Sequence, residues 1–443
     1  LEALASVESS KTIENVEDFD QYGLEAPICA ITVTAGETYE LAIGQETAMG
    51  GERYFSTGDG NVYLVDEEII DAFSYGLYDL LVYETIPDLP IGGTFELTAR
   101  CNFNCPMCYV HLKQDDIAAA GKELTAQQWI DFAREARDAG MVFALLTGGE
   151  PFVRQDFFEI YSAMQAMGLL ISINTNGSML EGERLQKLLD NPPFRMNISL
   201  YGGCNQTYRD MCGQDAFERV LRNIRSLKEA GVDICLNLSI TPYNRQDLPK
   251  IYGIAQELGV QVRANAYMYP PIRIHQNQYG CADRLSPEEA AACMVLWDQL
   301  RLTEEEFALR TENVSNLMPD ALSECSADPD EGVSCRAGYS RFWIAWDGTM
   351  LPCGMLSSVS APLLEIGFAK AWEQIRAEVR ALRMPTACTS CSMRPACGVC
   401  AAVCLTETGA TDRKPEYMCK MTAANIEGLR NAHKERNKRN CDY

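Results

Sequence analysis

Thr94-Phe-Glu-Leu-Thr-Ala-Arg-Cys101-Asn-Phe-Asn-Cys105-Pro-Met-Cys108 decides the reading: a β-prone run followed at once by three cysteines spaced C-x3-C-x2-C. A loop this tight converges three thiolates on one small object, and sulfur-only ligation selects zinc or iron–sulfur. Structural zinc takes four ligands in a closed tetrahedron. Three ligands leave a cubane cluster with one open iron, which suits a site that must bind a further molecule.

The same run starts a rhythm of strands and helices. Strands are expected at 94–98, 142–147, 169–174, 195–201, 233–240 and 261–267, with helical segments between them. The clearest helix begins at Thr125-Ala-Gln-Gln128, a capping-box signature, and stops at Gly140. Six βα units with apolar strands imply a parallel sheet covered by helices. Periodicity alone leaves open whether that sheet closes, stays a partial barrel or lies flat. Polar residues collect where the strands end, at Gly148-Gly-Glu-Pro151, Asn174-Thr-Asn-Gly177, Ser199-Leu-Tyr-Gly202 and 237–241. In barrel-like folds the loops at those strand ends build the ligand site.

The composition narrows the function classes. The 443 residues carry 38 basic and 62 acidic side chains, a net charge of −24. A nucleic-acid partner needs a basic footprint and is not expected. No apolar run reaches the roughly 18 residues of a membrane span, and no secretory signal opens the chain, which begins at Leu1. There are 19 cysteines but only three histidines, His111, His275 and His433, so a site built on several histidines is nearly excluded. The odd count and tight spacing fit metal in a reducing, cytoplasmic setting better than a disulfide framework.

Residues 1–90 stand apart. They hold 19 acids and two bases, a net −17, and one cysteine, Cys29. Short β-prone runs near 31–34, 39–43 and 61–65, separated by Gly-containing turns, read as a small acidic α+β domain. Domain organisation is therefore expected as 1–90, a barrel over 91–275, an acidic helical connector over 276–334, a cysteine-dense segment over 335–425, and a polar tail over 426–443.

The triad Cys101, Cys105, Cys108, followed about 40 residues later by Gly148, Gly149, Glu150 and Pro151 at the end of the next strand, resembles the radical S-adenosylmethionine (SAM) enzymes. The resemblance implies a partial (β/α)6 barrel. It also implies a [4Fe–4S] cluster on the triad whose fourth iron takes the methionine end of SAM, with the Gly148–Pro151 segment at the cofactor's amino group. Ser199 resembles the serine that contacts the ribose. Asn176 and Asn237 read equally as cofactor-facing or as turn and capping residues. One departure stands out: relatives often place arginine before the glycine matching Gly213, where this chain has Cys212, with Arg209 three residues earlier.

The spacing Cys335-x12-Gly348-x4-Cys353, then Cys388-x2-Cys391-x5-Cys397-x2-Cys400-x3-Cys404 and finally Cys419, resembles the SPASM extension of peptide-modifying radical SAM enzymes. That pattern implies one auxiliary cluster on Cys388, Cys391, Cys397 and Cys419. A second would use Cys335, Cys353 and Cys400 or Cys404, with Cys325 as a possible fourth; the family spacing lands on Ala401, and Cys400 is nearest. A zinc ribbon is the alternative. The family implies a peptide or protein side chain as substrate and an electron donor such as a flavodoxin or ferredoxin. Sulfatase-type maturation fits less well, because those enzymes carry aspartate immediately after the cysteine matching Cys353, where this chain has Gly354. Residues 1–90, through Tyr22-Gly, Ile43-Gly44 and Val62–Val65, resemble a bacterial domain family of unknown function that could dock a basic leader peptide. A small-molecule substrate, or a non-catalytic zinc-binding protein, are the rival readings.

Overall fold

The computed structural model describes residues 7 to 441 except 8, 17, 36, 48–49, 71–88, 111, 114, 116–117, 119–120, 273–277 and 316–331. The chain divides into two compact units, Leu1–Ile86 and Pro87–Tyr443.

The first unit is an antiparallel sheet. Its strands are β1 (Ser9–Ile13), β2 (Cys29–Ala35), β3 (Glu37–Glu46), β4 (Glu52–Ser56) and β5 (Val62–Asp66), ordered β1-β5-β4-β3-β2. Ile43, Phe55 and Val65 make its core. Gly44 is required there: a Cβ would lie 2.2 Å from the Tyr22 carbonyl oxygen, which ties together two of the motif positions noted above. Among the described residues this unit holds only 3-10 turns at Asp20–Tyr22 and Glu67–Ile70 besides its strands. β1 escaped the sequence reading because Ser9–Ile13 is a polar, largely exposed run, and β4 because its buried residues, Phe55 and Ser56, are adjacent and show no alternation.

The second unit carries all six expected parallel strands: β6 (Gly92–Glu96), β9 (Phe143–Thr147), β10 (Leu170–Thr175), β11 (Arg195–Ser199), β12 (Ile234–Ser239) and β13 (Gln261–Asn265). Each pairs in parallel with the next, from β6 to β13. The period-2 burial of Leu170–Thr175 shows why the sequence selects a strand there: alternate residues face the sheet's interior. The helix Ala126–Asp138 starts where expected, with a capping box between Thr125 and Gln128, and Gly140 leaves it at φ +111°.

Short strands β7 (Arg100–Cys101) and β8 (Leu112–Lys113) form a separate pair beside the triad loop. The sheet then gains three strands from the cysteine-dense region. β14 (Arg341–Ile344) pairs in parallel with β6, and β15 (Thr349–Leu351) and β16 (Ala361–Pro362) follow antiparallel. The nine-stranded order β13-β12-β11-β10-β9-β6-β14-β15-β16 leaves β13 and β16 as unjoined edges, so the barrel is partial. Gly93 makes room for the added strand: a Cβ there would meet the Phe342 ring at 2.4 Å. The segment expected as a polar tail begins inside the helix Glu416–Cys441, where Ile426 and Leu429 are fully buried and cluster with Val314.

Candidate active site

The triad loop leaves β6 and is pinned by buried charge. Arg154, 6% exposed, donates to the carbonyls of Leu97 and Leu124, each at 3.0 Å, and to Asp156 at 2.9 Å. Arg100 pairs with Glu123 at 2.8 Å, and Thr98 donates its hydroxyl to the same carboxylate. Gly148 and Gly149 complete the clamp. Their N-terminal neighbour strand ends against the loop, so that Gly149 N–H donates to Thr98 O at 2.7 Å and Glu150 N–H to Arg100 O at 2.9 Å. A Cβ on Gly148 would sit 2.4 Å from Thr98 O, and one on Gly149 2.5 Å from Arg100 O. The pair of glycines is thus explained by close backbone approach to the cysteine loop.

A cavity of ≈ 310 Å³ opens at the C-terminal ends of β9 to β13. That size is at the small end of the range for small-molecule sites. Cys101, Cys105, Cys108, Gly148, Gly149, Asn176, Ser199 and Asn237 all line it. Glu150 and Pro151 are buried, and neither is among the residues that line it. The Glu150 carboxylate accepts from Thr175 Oγ1 at 2.8 Å, from the Asn176 N–H at 2.7 Å and from the Phe152 N–H at 3.2 Å. Burial pushes its carboxyl up to about 7 although those bonds oppose the shift. Asn176 makes a turn interaction and also faces the triad loop. Its Oδ1 accepts from the Ser178 N–H at 2.9 Å, a turn interaction, while its Nδ2 donates to Asn102 at 2.9 Å and reaches Cys101 Sγ at 3.8 Å. Among the described residues the lining is neutral: asparagines 174, 176, 237 and 265, two serines, two threonines and tyrosines.

Sequence reasoning missed the aromatic wall. Tyr201, Tyr267 and Tyr269 line the cavity; the last two sit at i and i+2 just past β13, a periodicity that could have marked them. It also left Cys212 as a gap in a family pattern. Cys212 is fully buried, its carbonyl accepts from the Asn104 N–H at 3.0 Å in the triad loop, and its thiol, with burial, raises the Cys105 thiol well above its ordinary value. Arg209 points elsewhere, paired with Asp215 and, at 2.8 Å, with Gln206.

The later cysteines gather into two neighbourhoods. Cys388 lies within electrostatic reach of Cys397 and Cys391, and Cys419 of Cys388 and Cys397. Thr422 Oγ1 approaches Cys397 Sγ at 3.3 Å, and the Cys419 thiol is pushed up to about 11, chiefly by burial. Cys335 and Cys353 instead both feel Cys400. Cys404 is buried in the helix Ala401–Thr408 beside Cys388, Cys400 and Cys419, and neither Cys335 nor Cys353 has it as a principal neighbour. Cys325 lies outside the described residues. Among the described residues no three Cys, His, Asp or Glu side chains converge closely enough for a single metal ion; a cubane takes its thiolates on separate irons. The donor set, all thiol in both regions, fits iron–sulfur chemistry.

Comparison with known proteins agrees with this geometry. Residues 95–254 match the radical SAM superfamily profile, and residues 1–81 match a domain of unknown function, DUF4340. An AdoMet-dependent heme synthase of Methanosarcina barkeri is 27% identical over 332 residues, which cover 71% of this chain and 92% of that protein. A probable GTP 3',8-cyclase of Saccharolobus solfataricus is 34% identical over 166 residues, 37% of this chain and about half, 52%, of its own length. Among solved structures, Streptococcus suis SuiB bound to the precursor peptide SuiA superposes with a TM-score of 0.57 at 17% identity, covering 75% of this chain and 76% of that one. Among the described residues no helix is long and apolar enough to cross a membrane. Residues 95–254 match the radical SAM superfamily, a DUF4340-like unit precedes them and a cysteine-rich extension follows, an order that makes the chain similar to radical SAM enzymes.

Proposed function

We propose that this chain modifies a peptide or protein side chain by radical chemistry, with SAM and one [4Fe–4S] cluster at the triad and auxiliary clusters in the extension. The observation that carries the reading is the single cavity onto which the triad thiols, Ser199, Asn237 and the neutral ends of β9 to β13 all open. When bound, the cluster and SAM supply a 5′-deoxyadenosyl radical that abstracts hydrogen from the substrate. Cys101, Cys105 and Cys108 hold the cluster. Gly148 and Gly149 bring the backbone of the next strand against the triad loop, and Glu150 braces Asn176 from behind the wall. Ser199 and Asn237 offer neutral hydrogen-bond groups to the nucleoside. Phe103, Tyr201 and Tyr208 pack edge to face on one side and exclude water, which protects a reactive radical.

Cys388, Cys391, Cys397 and Cys419 are the ligands proposed for one auxiliary cluster, and Cys335, Cys353 and Cys400 for the other. The grouping of Cys400 with Cys335 and Cys353 supports Cys400 over Cys404. An external flavodoxin- or ferredoxin-like donor supplies the electron. Peptide amides suit the uncharged lining, and SuiB, of similar fold, was solved with a precursor peptide. Sulfatase-type chemistry is disfavoured on steric grounds too, since a Cβ on Gly354 would meet the Trp343 ring at 2.9 Å.

A small-molecule substrate is the second reading, favoured by the 92% coverage of the heme synthase. A carboxylate-bearing tetrapyrrole or a nucleoside triphosphate asks for cations that the described lining does not offer. The deciding experiment is anaerobic reconstitution with iron and sulfide, then SAM, a reductant and short peptides encoded beside the gene. A peptide mass change matched by 5′-deoxyadenosine supports the proposal. A colourless, zinc-holding protein that cleaves no SAM overturns it, and turnover of a tetrapyrrole alone moves the assignment to the second reading.

A further inference from the structure

We infer that Thr422 is a positioning residue that donates its buried hydroxyl to the Cys397 sulfur and raises the reduction potential of the auxiliary cluster that Cys397 ligates. The inference rests on the reading that Cys388, Cys391, Cys397 and Cys419 share a cluster.

The two sides of the contact are built separately. On one side, Cys388 to Cys397 run as three consecutive turns. Cys391 N–H donates to Cys388 O at 3.3 Å, Arg394 N–H to Cys391 O at 2.9 Å and Cys397 N–H to Arg394 O at 3.1 Å. On the other side, Cys419 and Thr422 lie three residues apart on the helix Glu416–Cys441, a spacing that puts both on one face. Met393 and Ala396 of the turns pack against the buried cluster of Ile426, Leu429 and Val314, the first two from that same helix. The apolar contact holds the loop against the helix, and Thr422 Oγ1 meets Cys397 Sγ at 3.3 Å.

The chemistry of a metal site sets the direction of this hydrogen bond. A ligating cysteine has lost its proton and can only accept. Thr422, 5% exposed, is shielded from bulk water and has one proton to give. Its hydroxyl also lies 2.8 Å from Met418 O. That carbonyl stands four residues before Thr422 and takes the helical N–H of Thr422 itself, so it is not orphaned when the hydroxyl turns to sulfur. A donor aimed at a cluster thiolate stabilises the more negative, reduced state and raises the potential. The cluster becomes the readier electron acceptor.

Two substitutions separate the hydroxyl from the packing. Thr422→Val removes the hydroxyl and keeps the branched shape, whereas Thr422→Ser keeps the hydroxyl and loses the methyl.

The test uses the full-length protein, reconstituted anaerobically with iron and sulfide. Iron content and EPR-monitored redox titrations, without SAM or substrate, are recorded for wild type, Thr422→Val, Thr422→Ser and Cys397→Ala. Cys397→Ala marks the signal of the cluster in question by its loss. The expected result for Thr422→Val is full iron content, with that one midpoint moved to a more negative potential and the others unmoved. Thr422→Ser should hold the wild-type midpoint. An unmoved midpoint in Thr422→Val at full iron content overturns the inference. So does an equal shift in Thr422→Ser, which would trace the effect to packing, and so does loss of iron in Thr422→Val, which would make the residue a mere support. Full iron content in Cys397→Ala is a different failure, that of the ligand reading beneath it.

Discussion

The two thiol-rich regions are assembled in opposite ways. The triad comes from eight consecutive residues, Cys101 to Cys108, on a loop pinned by Arg100, Arg154 and Glu123, and it opens onto a cavity. The later thiols come from separate segments, around 335, 353, 388–400 and 419, and meet only because β14 joins the barrel sheet and the C-terminal helix packs back. A local motif can hold its metal with little help from the rest of the chain. A dispersed one stores its ligand set in the tertiary fold. Variants in the first region should therefore delete one function, and variants in the second should test the fold's own choice of ligands.

The largest effect belongs to the triad. Replacing Cys101, Cys105 and Cys108 together with Ala should remove about four irons, one cubane, and bring 5′-deoxyadenosine formation to background. Undiminished SAM cleavage would break the comparison at its first term. Next comes the dispersed set. Cys400→Ala should also lower iron by about four, whereas Cys404→Ala should leave iron unchanged and cost only ~1 kcal/mol for its small cavity. Iron quantification and Mössbauer spectra read both, and the reverse pattern would mean that the fold selects the cysteine inside the helix.

How much could be read from sequence follows the same division. All six parallel strands, the helix from Thr125 and the triad were legible, because each is a local signal: alternation, a capping box, a fixed cysteine spacing. The strands β14 to β16 were not, since runs of two to four residues carry no usable period and their pairing with β6 is a long-range event. The site divides likewise. Ser199 and Asn237 were found as polar residues at strand ends. Tyr267 was missed, because what anchors it is Glu407, more than a hundred residues away. Glu150 was read as a cofactor contact, whereas its carboxylate lies behind the cavity wall, bonded to Thr175, Asn176 and Phe152.

That carboxylate gives the third prediction. Its folded value of about 7 lies above the ordinary 4.5, so the native state holds the proton more tightly than the unfolded chain. Stability should then fall as pH rises from about 4.5 to about 7, by about 3 kcal/mol in all, and level off beyond. Glu150→Gln removes this component of the slope. It also turns an amide toward the donors of Asn176 and Phe152, at a cost of about 1–3 kcal/mol. Urea midpoints across that pH range measure both, and an unchanged slope in the variant would place the titration elsewhere. A smaller effect is expected at Gly354→Ala, where crowding against Trp343 should cost about 1–3 kcal/mol without loss of iron.

The smallest expected effect is none at all, and it concerns Leu1–Ile86. Every triad cysteine, every residue lining the cavity and every later thiol named above belongs to Pro87–Tyr443. The first unit has its own sheet and its own core of Ile43, Phe55 and Val65. Deleting residues 1–86 should therefore leave iron content and SAM cleavage in the absence of substrate unchanged. A net charge of −17 over residues 1–90 would attract a basic partner at low ionic strength. If that partner is a leader peptide, the deletion should raise the KM for peptide and abolish its salt dependence while the uncoupled cleavage rate holds. A folded, fully loaded deletion variant that cannot cleave SAM would show that the local triad depends on residues outside its own unit, and the contrast between local and dispersed assembly would fail.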